Sequence, residues 1–313
     1  MNDIKFLGEY ISIATAISWT ITAVLSEIGS NRFGALTLNV IRMLFAIIFL
    51  GGTLFLLTGT PYPLYTNSET WFWLSLSGIV GYVFGDICLF NAYVVIGSRF
   101  AQLFMTTAPA TAALTSFLLL SETISLQCMA GIAITIFGIA ISVVSKNSEE
   151  SKHKFGLKLP LKGILLGIGA GLGQGVGLVL SKLGMSAYSL PADVAHSEFV
   201  LPFAATFMRS ISGFIGFFIM AIMLHKTASL RKAATDAKGL SLAALLTIFG
   251  PFVGVSMSLM AVRYTAVGIA QTIMSLTPIL ILIPSRFVFH QKISLVECIG
   301  AVISVVGVSL FFI

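Results

Sequence analysis

Apolar residues fill windows of about 20 positions, interrupted by short polar stretches, as in helices that cross a hydrocarbon core. The windows fall near residues 9–29, 34–57, 71–95, 99–120 and 125–145, then near 163–186, 199–224, 240–261, 267–289 and 294–313. Five precede and five follow the polar run KNSEESKHKFGLKLPLK, from Lys146 to Lys162. The expected fold class is an all-α polytopic membrane protein with ten transmembrane helices. Its domains would be a first five-helix repeat at 1–145, a basic connecting loop at 146–162 and a second five-helix repeat at 163–313. The first apolar run is longer than the core of a signal peptide and holds its small residues, Ala14 to Ala16, in mid-run, so it is expected to be a retained helix.

The two halves repeat one another. From Ile79 to Gly138 each residue can be set against the one 169 places later, without a gap. Gly81, Gly85, Ala92, Ala101, Gln102, Met105, Pro109, Gly131 and Gly138 then face Gly250, Gly254, Ala261, Ala270, Gln271, Met274, Pro278, Gly300 and Gly307. Earlier in each unit the match is looser. AVLSEIG (Ala23 to Gly29) resembles LVLSKLG (Leu178 to Gly184), and Arg42 corresponds to Arg209, with an insertion expected around Pro191 to Pro202. An odd number of helices per repeat makes the second copy enter the membrane from the opposite side, so the halves should form an inverted pair around a central site.

Composition agrees with a membrane chain: 57% of residues are hydrophobic and 10% charged, with a mean hydropathy of +1.00. A soluble domain carries about 25% charged residues. The net charge of +6 does not point to nucleic acid, because the basic residues gather in loops on one membrane face. Lys146, Lys152, Lys154, Lys158 and Lys162 lie there, with Lys226, Arg231, Lys232, Lys238, Arg32, Arg99, Arg286 and Lys292; the opposite face shows only Lys5 and Arg263. The positive-inside rule would then put both termini outside. Cys88, Cys128 and Cys298 fall in or beside apolar windows and read as packing residues rather than a disulfide framework.

The segment from Gly78 to Ile139 resembles the EamA repeat of the drug/metabolite transporter superfamily. It has a glycine-rich third helix, an alanine-rich fourth with a mid-span proline, Glu122 at that helix's end, and a glycine-spaced fifth. Trp19 and Arg42 suit the first two helices, whereas Gln291 and Gln174 stand where the second repeat would carry Glu and Trp. The resemblance covers nearly the whole chain. It implies a ten-helix secondary carrier in the cell membrane, more often an exporter than an importer. Helices 1–4 and 6–9 would form a central cavity, with helices 5 and 10 at the rear. It also implies cytoplasmic termini, the reverse of the charge count.

Ionisable side chains inside a bilayer cost about 2.5 to 3.5 kcal/mol each on insertion scales and mark candidate sites. Arg42 and Asp86 reach similar depth, roughly 12 to 14 Å from one face at about 1.5 Å per residue, and could pair; Asp86 could instead relay protons. Arg209 has no matching acid, because the repeat partner of Asp86 is Val255. It is expected either to hold a substrate carboxylate or to bond backbone carbonyls or Glu198. Trp19, Asn91, Tyr93, Gln102, Gln174 and Gln271 are the other candidate pathway residues, and Pro109 and Pro278 are expected to kink or gate helices 4 and 9. Glu27 and Lys182, at helix ends, are expected to snorkel to water. The glycine run Gly163 to Gly177 lacks a GK[ST] ending and reads as a helix-packing face.

No HExxH, G-x-S-x-G or G-x-G-D motif is present, and His153, His196, His225 and His290 are scattered, so an enzyme is not expected. No cofactor, metal or nucleic-acid partner is expected. The expected partners are membrane lipid, a small-molecule substrate (amino acids or other carboxylate-bearing metabolites) and a coupling ion such as the proton. A monomer and a homodimer both remain open, and the alternative function is a non-transporting receptor or structural membrane protein.

Overall fold

The structure, a computed structural model, describes residues 6–120, 125–145, 159–189, 197–265, 270 and 273–310. Glu122, Gln271 and most of the basic connecting loop lie outside them. Among the described residues all regular structure is helical. The first half comprises α1 (Leu7–Phe33), α2 (Ala35–Thr58), α3 (Ser68–Ser77), α4 (Ile87–Phe104), α5 (Ala108–Leu120) and α6 (Leu126–Ser145). The second comprises α7 (Leu161–Ser186), α8 (Ser197–Met223), α9 (Thr227–Ala234), α10 (Ala237–Thr247), α11 (Ser256–Tyr264), α12 (Thr277–Leu280), α13 (Leu282–Phe287) and α14 (Leu295–Ser309).

Among the described residues seven helical stretches are long and apolar enough to cross a membrane, with two shorter apolar ones at Thr277–Phe287 and Leu295–Ser309. One of the seven, Ser68–Leu120, counts 53 residues. A straight helix of that length would run about 80 Å, far beyond a core of about 30 Å. It turns back at Gly97, whose φ of 79° and ψ of 159° suit a residue without a side chain. The chain therefore passes from one helix to the next through a single residue, where the hydrophobic pattern already divides at 95 and 99. Gly34, at φ 79°, makes the equally tight turn between α1 and α2.

The turn at Gly97 corrects the expectation for Glu27. Its side chain does not reach out to water: Glu27 is buried and accepts from the Ser98 backbone N–H at 2.6 Å. A carboxylate there satisfies an orphan donor at the start of the descending helix. Lys182, its counterpart in the second half, is exposed.

The ends of other elements are tied in similar fashion. Asn67 caps α3, accepting from Thr70 N at 2.7 Å while its amide donates to Ala187 O at 3.0 Å. Ser294 and Glu297 form a reciprocal capping box at the start of α14, and Glu297 also accepts from Arg99 Nη1 at 3.0 Å. Asp236 caps α10 through Gly239 N at 3.1 Å and takes Arg32 Nη2 at 2.7 Å. The Arg32 hydrogen bond first, and the Gly239 N–H second, hold the Asp236 carboxyl below its ordinary range. A depressed carboxylate stabilises the fold above its unfolded pKa and loses that contribution as pH falls through the folded value. Unfolding midpoints recorded on the acid side should therefore fall less steeply in Asp236→Asn than in the wild type; identical slopes would dissociate this pair from acid stability.

At the rear, α6 and α14 pack directly on each other. A Cβ on Gly138 would collide with Ser304 N and lie 2.7 Å from Gly300 O; one on Gly307 would collide with Thr135 N and lie 2.9 Å from Gly131 O. These are the same contacts with the repeats exchanged, since each residue is matched 169 places on. Thr135 and Ser304 are each other's counterparts, and their hydroxyls reach each other's carbonyls at 3.4 and 3.5 Å. Glycines let the two backbones close up, as small residues do in lipid. The outward surface carries large apolar side chains such as Leu56, Phe137 and Ile283, which suits hydrocarbon rather than water.

Two features depart from regular α-helix in register with the repeat. Residues Gly78–Asp86, between α3 and α4, and Ile248–Val255, between α10 and α11, are π-helical. Set 169 places apart, they overlap almost residue for residue. Extended π segments are rare, and π-bulges cluster at functional sites. The short basic helix α9 falls in what the hydropathy pattern leaves as a loop.

Candidate functional site

A cavity of about 190 Å³ opens where the two π segments face the other helices. Its wall draws on α1, α2, the first π segment, α4 and α5 from one half, and on α7, α8, the second π segment, α11 and α12 from the other. None of the described lining residues belongs to α6 or α14.

Close backbone approach shapes this wall. Gly173 and Gly177 of α7 lie against Gly85 and Gly81 of the first π segment; a Cβ on Gly173 would sit 2.5 Å from Gly85 Cα. The glycine run reads correctly as a packing face. On the other side Trp19 lies over Gly254, and Ser18 Oγ donates to Phe249 O at 2.6 Å inside the second π segment. A π turn leaves carbonyls outside the α pattern, and this hydroxyl satisfies one of them.

Of the candidates that the sequence nominates, Trp19, Arg42, Asp86, Tyr93, Gln102, Gln174, Arg209, Pro109 and Pro278 line the cavity. Asn91 does not; its amide donates to Ile87 O, one helical turn back, at 2.6 Å. Gln271 lies outside the described residues. Pro109 and Pro278 do not bend continuous helices. Each sits at the second position of a new helical segment, α5 or α12, after a non-α turn at Met105–Thr107 or around Leu276. The missing proline N–H costs nothing at a helix start.

The charges are arranged unequally. Arg42 and Asp86, both about 5% exposed, form a buried ion pair through Arg42 Nη2 and Asp86 Oδ2. Gln174 Nε2 donates to the other oxygen, Asp86 Oδ1, at 2.8 Å. Two donors, one on each oxygen, fit an ionised carboxylate. The guanidinium of Arg42 also lies 4.7 Å from the Phe90 ring centroid. One cation, one anion and one amide thus join α2, the first π segment and α7.

Arg209 is equally buried and has no such partner. Among the described residues no carboxylate lies within ion-pair distance of it, and its Nε is buried without an acceptor. The side chain of Glu198 is outside the described set. Arg209 lies instead over the Tyr82 ring, 4.6 Å from its centroid, a cation–π contact. A Cβ on Gly81 would lie 3.0 Å from Arg209 Nη2, so the glycine makes room for the guanidinium. Deeper in, Gln102 Nε2 donates to Tyr93 Oη at 2.8 Å.

Sequence reasoning missed Tyr82. It is 3% exposed, its ring is within about 6 Å of two guanidiniums, those of Arg42 at 5.9 Å and Arg209 at 4.6 Å, and its hydroxyl has no hydrogen-bond partner. The signal was present in its place, one residue after the repeated Gly81 and four before Asp86. Its counterpart is Pro251, however, so identity across the repeat could not reveal it.

A chain reported only as the crystal structure of a protein superposes on 97% of this chain and 95% of its own, with a TM-score of 0.60 and 15% identity; that likeness is one of fold. A comparison with curated protein sequences finds no match. The EamA-like transporter family, by contrast, matches residues 6–144 and again 161–313. Two copies of that repeat occupy nearly the whole chain, one on each side of the cavity, and the chain belongs to the EamA-like transporter family.

Proposed function

We propose that this member of a transporter family is a secondary carrier that exports small carboxylate-bearing metabolites by alternating access, with its site in the central cavity. Ten membrane-spanning helices, arranged as two inverted repeats of five, suit the exchanged contacts between α6 and α14 and the fold-back at Gly97. In such a carrier one half rocks against the other around a fixed site. The observation that carries the reading is Arg209: a buried guanidinium, short of a counter-charge among the described residues, in the wall of a cavity that both repeats build. A substrate carboxylate would complete it as a charge-assisted pair.

Solute counterflow in proteoliposomes tests this, with labelled amino acids, organic acids, sugars, nucleosides and cationic drugs. One class should accumulate above empty liposomes, and Arg209→Ala should raise the concentration needed for half-maximal exchange by about tenfold or more. Normal exchange with unchanged affinity in Arg209→Ala would remove that residue from the site. Flat traces for every class with folded protein would favour a receptor or structural role.

A further inference from the structure

We propose that the cavity selects a singly charged organic anion with an apolar body, in preference to zwitterions, cations and dianions. Transport of such an anion rests on the carrier reading above; binding stands apart from it. The described lining holds two guanidiniums and one carboxylate, which leaves one positive charge in excess.

The position of that charge is specific. Arg42 is paired directly with Asp86, whereas no described carboxylate lies within ion-pair distance of Arg209. The Arg209 Nε and the Tyr82 hydroxyl, in contact through ring and guanidinium, are both buried without hydrogen-bond partners. The Arg209 guanidinium belongs to the cavity wall, and a planar carboxylate in the cavity would give it the charge-assisted partner it lacks among the described residues.

An ammonium group finds no carboxylate that is not already paired with a cation among the described lining residues. The one carboxylate among the described lining residues has one oxygen held by Arg42 and the other by Gln174. The hydroxyls of Thr22, Thr106, Ser258 and Thr277 already donate to backbone carbonyls at 2.7 to 2.8 Å, leaving neutral oxygens as acceptors. A zwitterion would place its cation beside a positive excess, and a dianion would bring one charge too many into a low-dielectric space. Leu89, Phe90, Leu178, Leu259 and Met274 supply the apolar remainder of the wall.

Four probes with one isobutyl body separate the charges: isocaproate, leucine, isoamylamine and isobutylmalonate. Calorimetric titration of the purified full-length protein should show isocaproate binding at least about tenfold tighter than the other three. Arg209→Gln should lose about tenfold or more for isocaproate at an unchanged melting temperature. Asp86→Asn, which leaves Arg42 unanswered, should shift the preference towards isobutylmalonate; if that variant does not fold, Arg209→Gln decides alone. Leucine or isoamylamine binding as tightly as isocaproate, or no isocaproate binding by folded protein, overturns the proposal. Counterflow separates the two readings. Isocaproate that binds but never exchanges overturns the carrier and keeps the anion site, whereas exchange of leucine with no isocaproate binding does the reverse.

Discussion

Arg42→Met, with Asp86 left in place, will destabilise the protein by about 3 to 5 kcal/mol, the cost of stranding a buried charge. The pair is well removed from solvent, at about 5% exposure for each side chain, so water cannot compensate. Gln174 would remain the carboxylate's one side-chain donor among the described residues. Asp86→Leu strands the cation instead, softened by the Phe90 and Tyr82 rings, and should cost less. The double variant Arg42→Met/Asp86→Leu should recover most of the loss, because a buried ion pair can be exchanged for apolar groups at little net cost. Unfolding in mixed detergent micelles, followed by far-ultraviolet circular dichroism, measures all three. Equal stability of Arg42→Met and the wild type would mean that the pair is hydrated.

Gly138→Ala should cost about 1 to 3 kcal/mol, the range for an overpacked contact. The added methyl has nowhere to go: Ser304 N and Gly300 O are backbone atoms of α14, and they can yield only if the helices separate. Gly307→Ala meets the same surroundings with the halves exchanged and should cost nearly as much. Gly52, in the interior of α2, has nothing within 4 Å of an added Cβ. Gly52→Ala should therefore be neutral or stabilise by about 0.5 to 1 kcal/mol, through the entropy that glycine loses in a helix. A melting series of the three variants that failed to separate Gly52 from the other two would contradict the rear packing.

These predictions draw on features that were unequally legible in the sequence. The apolar windows were readable because a membrane helix must bury about 20 residues whatever its tertiary contacts. The glycine at 138 and its mate at 307 were readable because both copies need the same close approach. Depth made the Arg42–Asp86 pair one of two readings for Asp86, and the structure brings the two side chains together. The π segments were not readable, since a shift from i+4 to i+5 bonding depends on how neighbouring helices press on the chain rather than on residue type. Glu27 was misread because its position near a helix end suggests water, whereas the single-residue turn at Gly97 brings a backbone donor to it. Asn91 looked like cavity lining, but an asparagine can satisfy itself on the preceding turn, as this one does. Tyr82 differs from its mate, and a repeat exposes only what the two copies share.

That difference bears on the two π segments. They give the cavity a backbone frame that looks alike from either half, while the side chains hung on it do not match: Tyr82 against Pro251, Asp86 against Val255, and Trp19 against Gln174. In the inverted arrangement proposed above, a frame of that kind would be indifferent to which side of the membrane it faces, because inversion would return a similar hydrogen-bond pattern. Any energetic preference between two opposite-facing states would then arise from the unmatched side chains. A carrier built this way would have its resting direction written in a few residues.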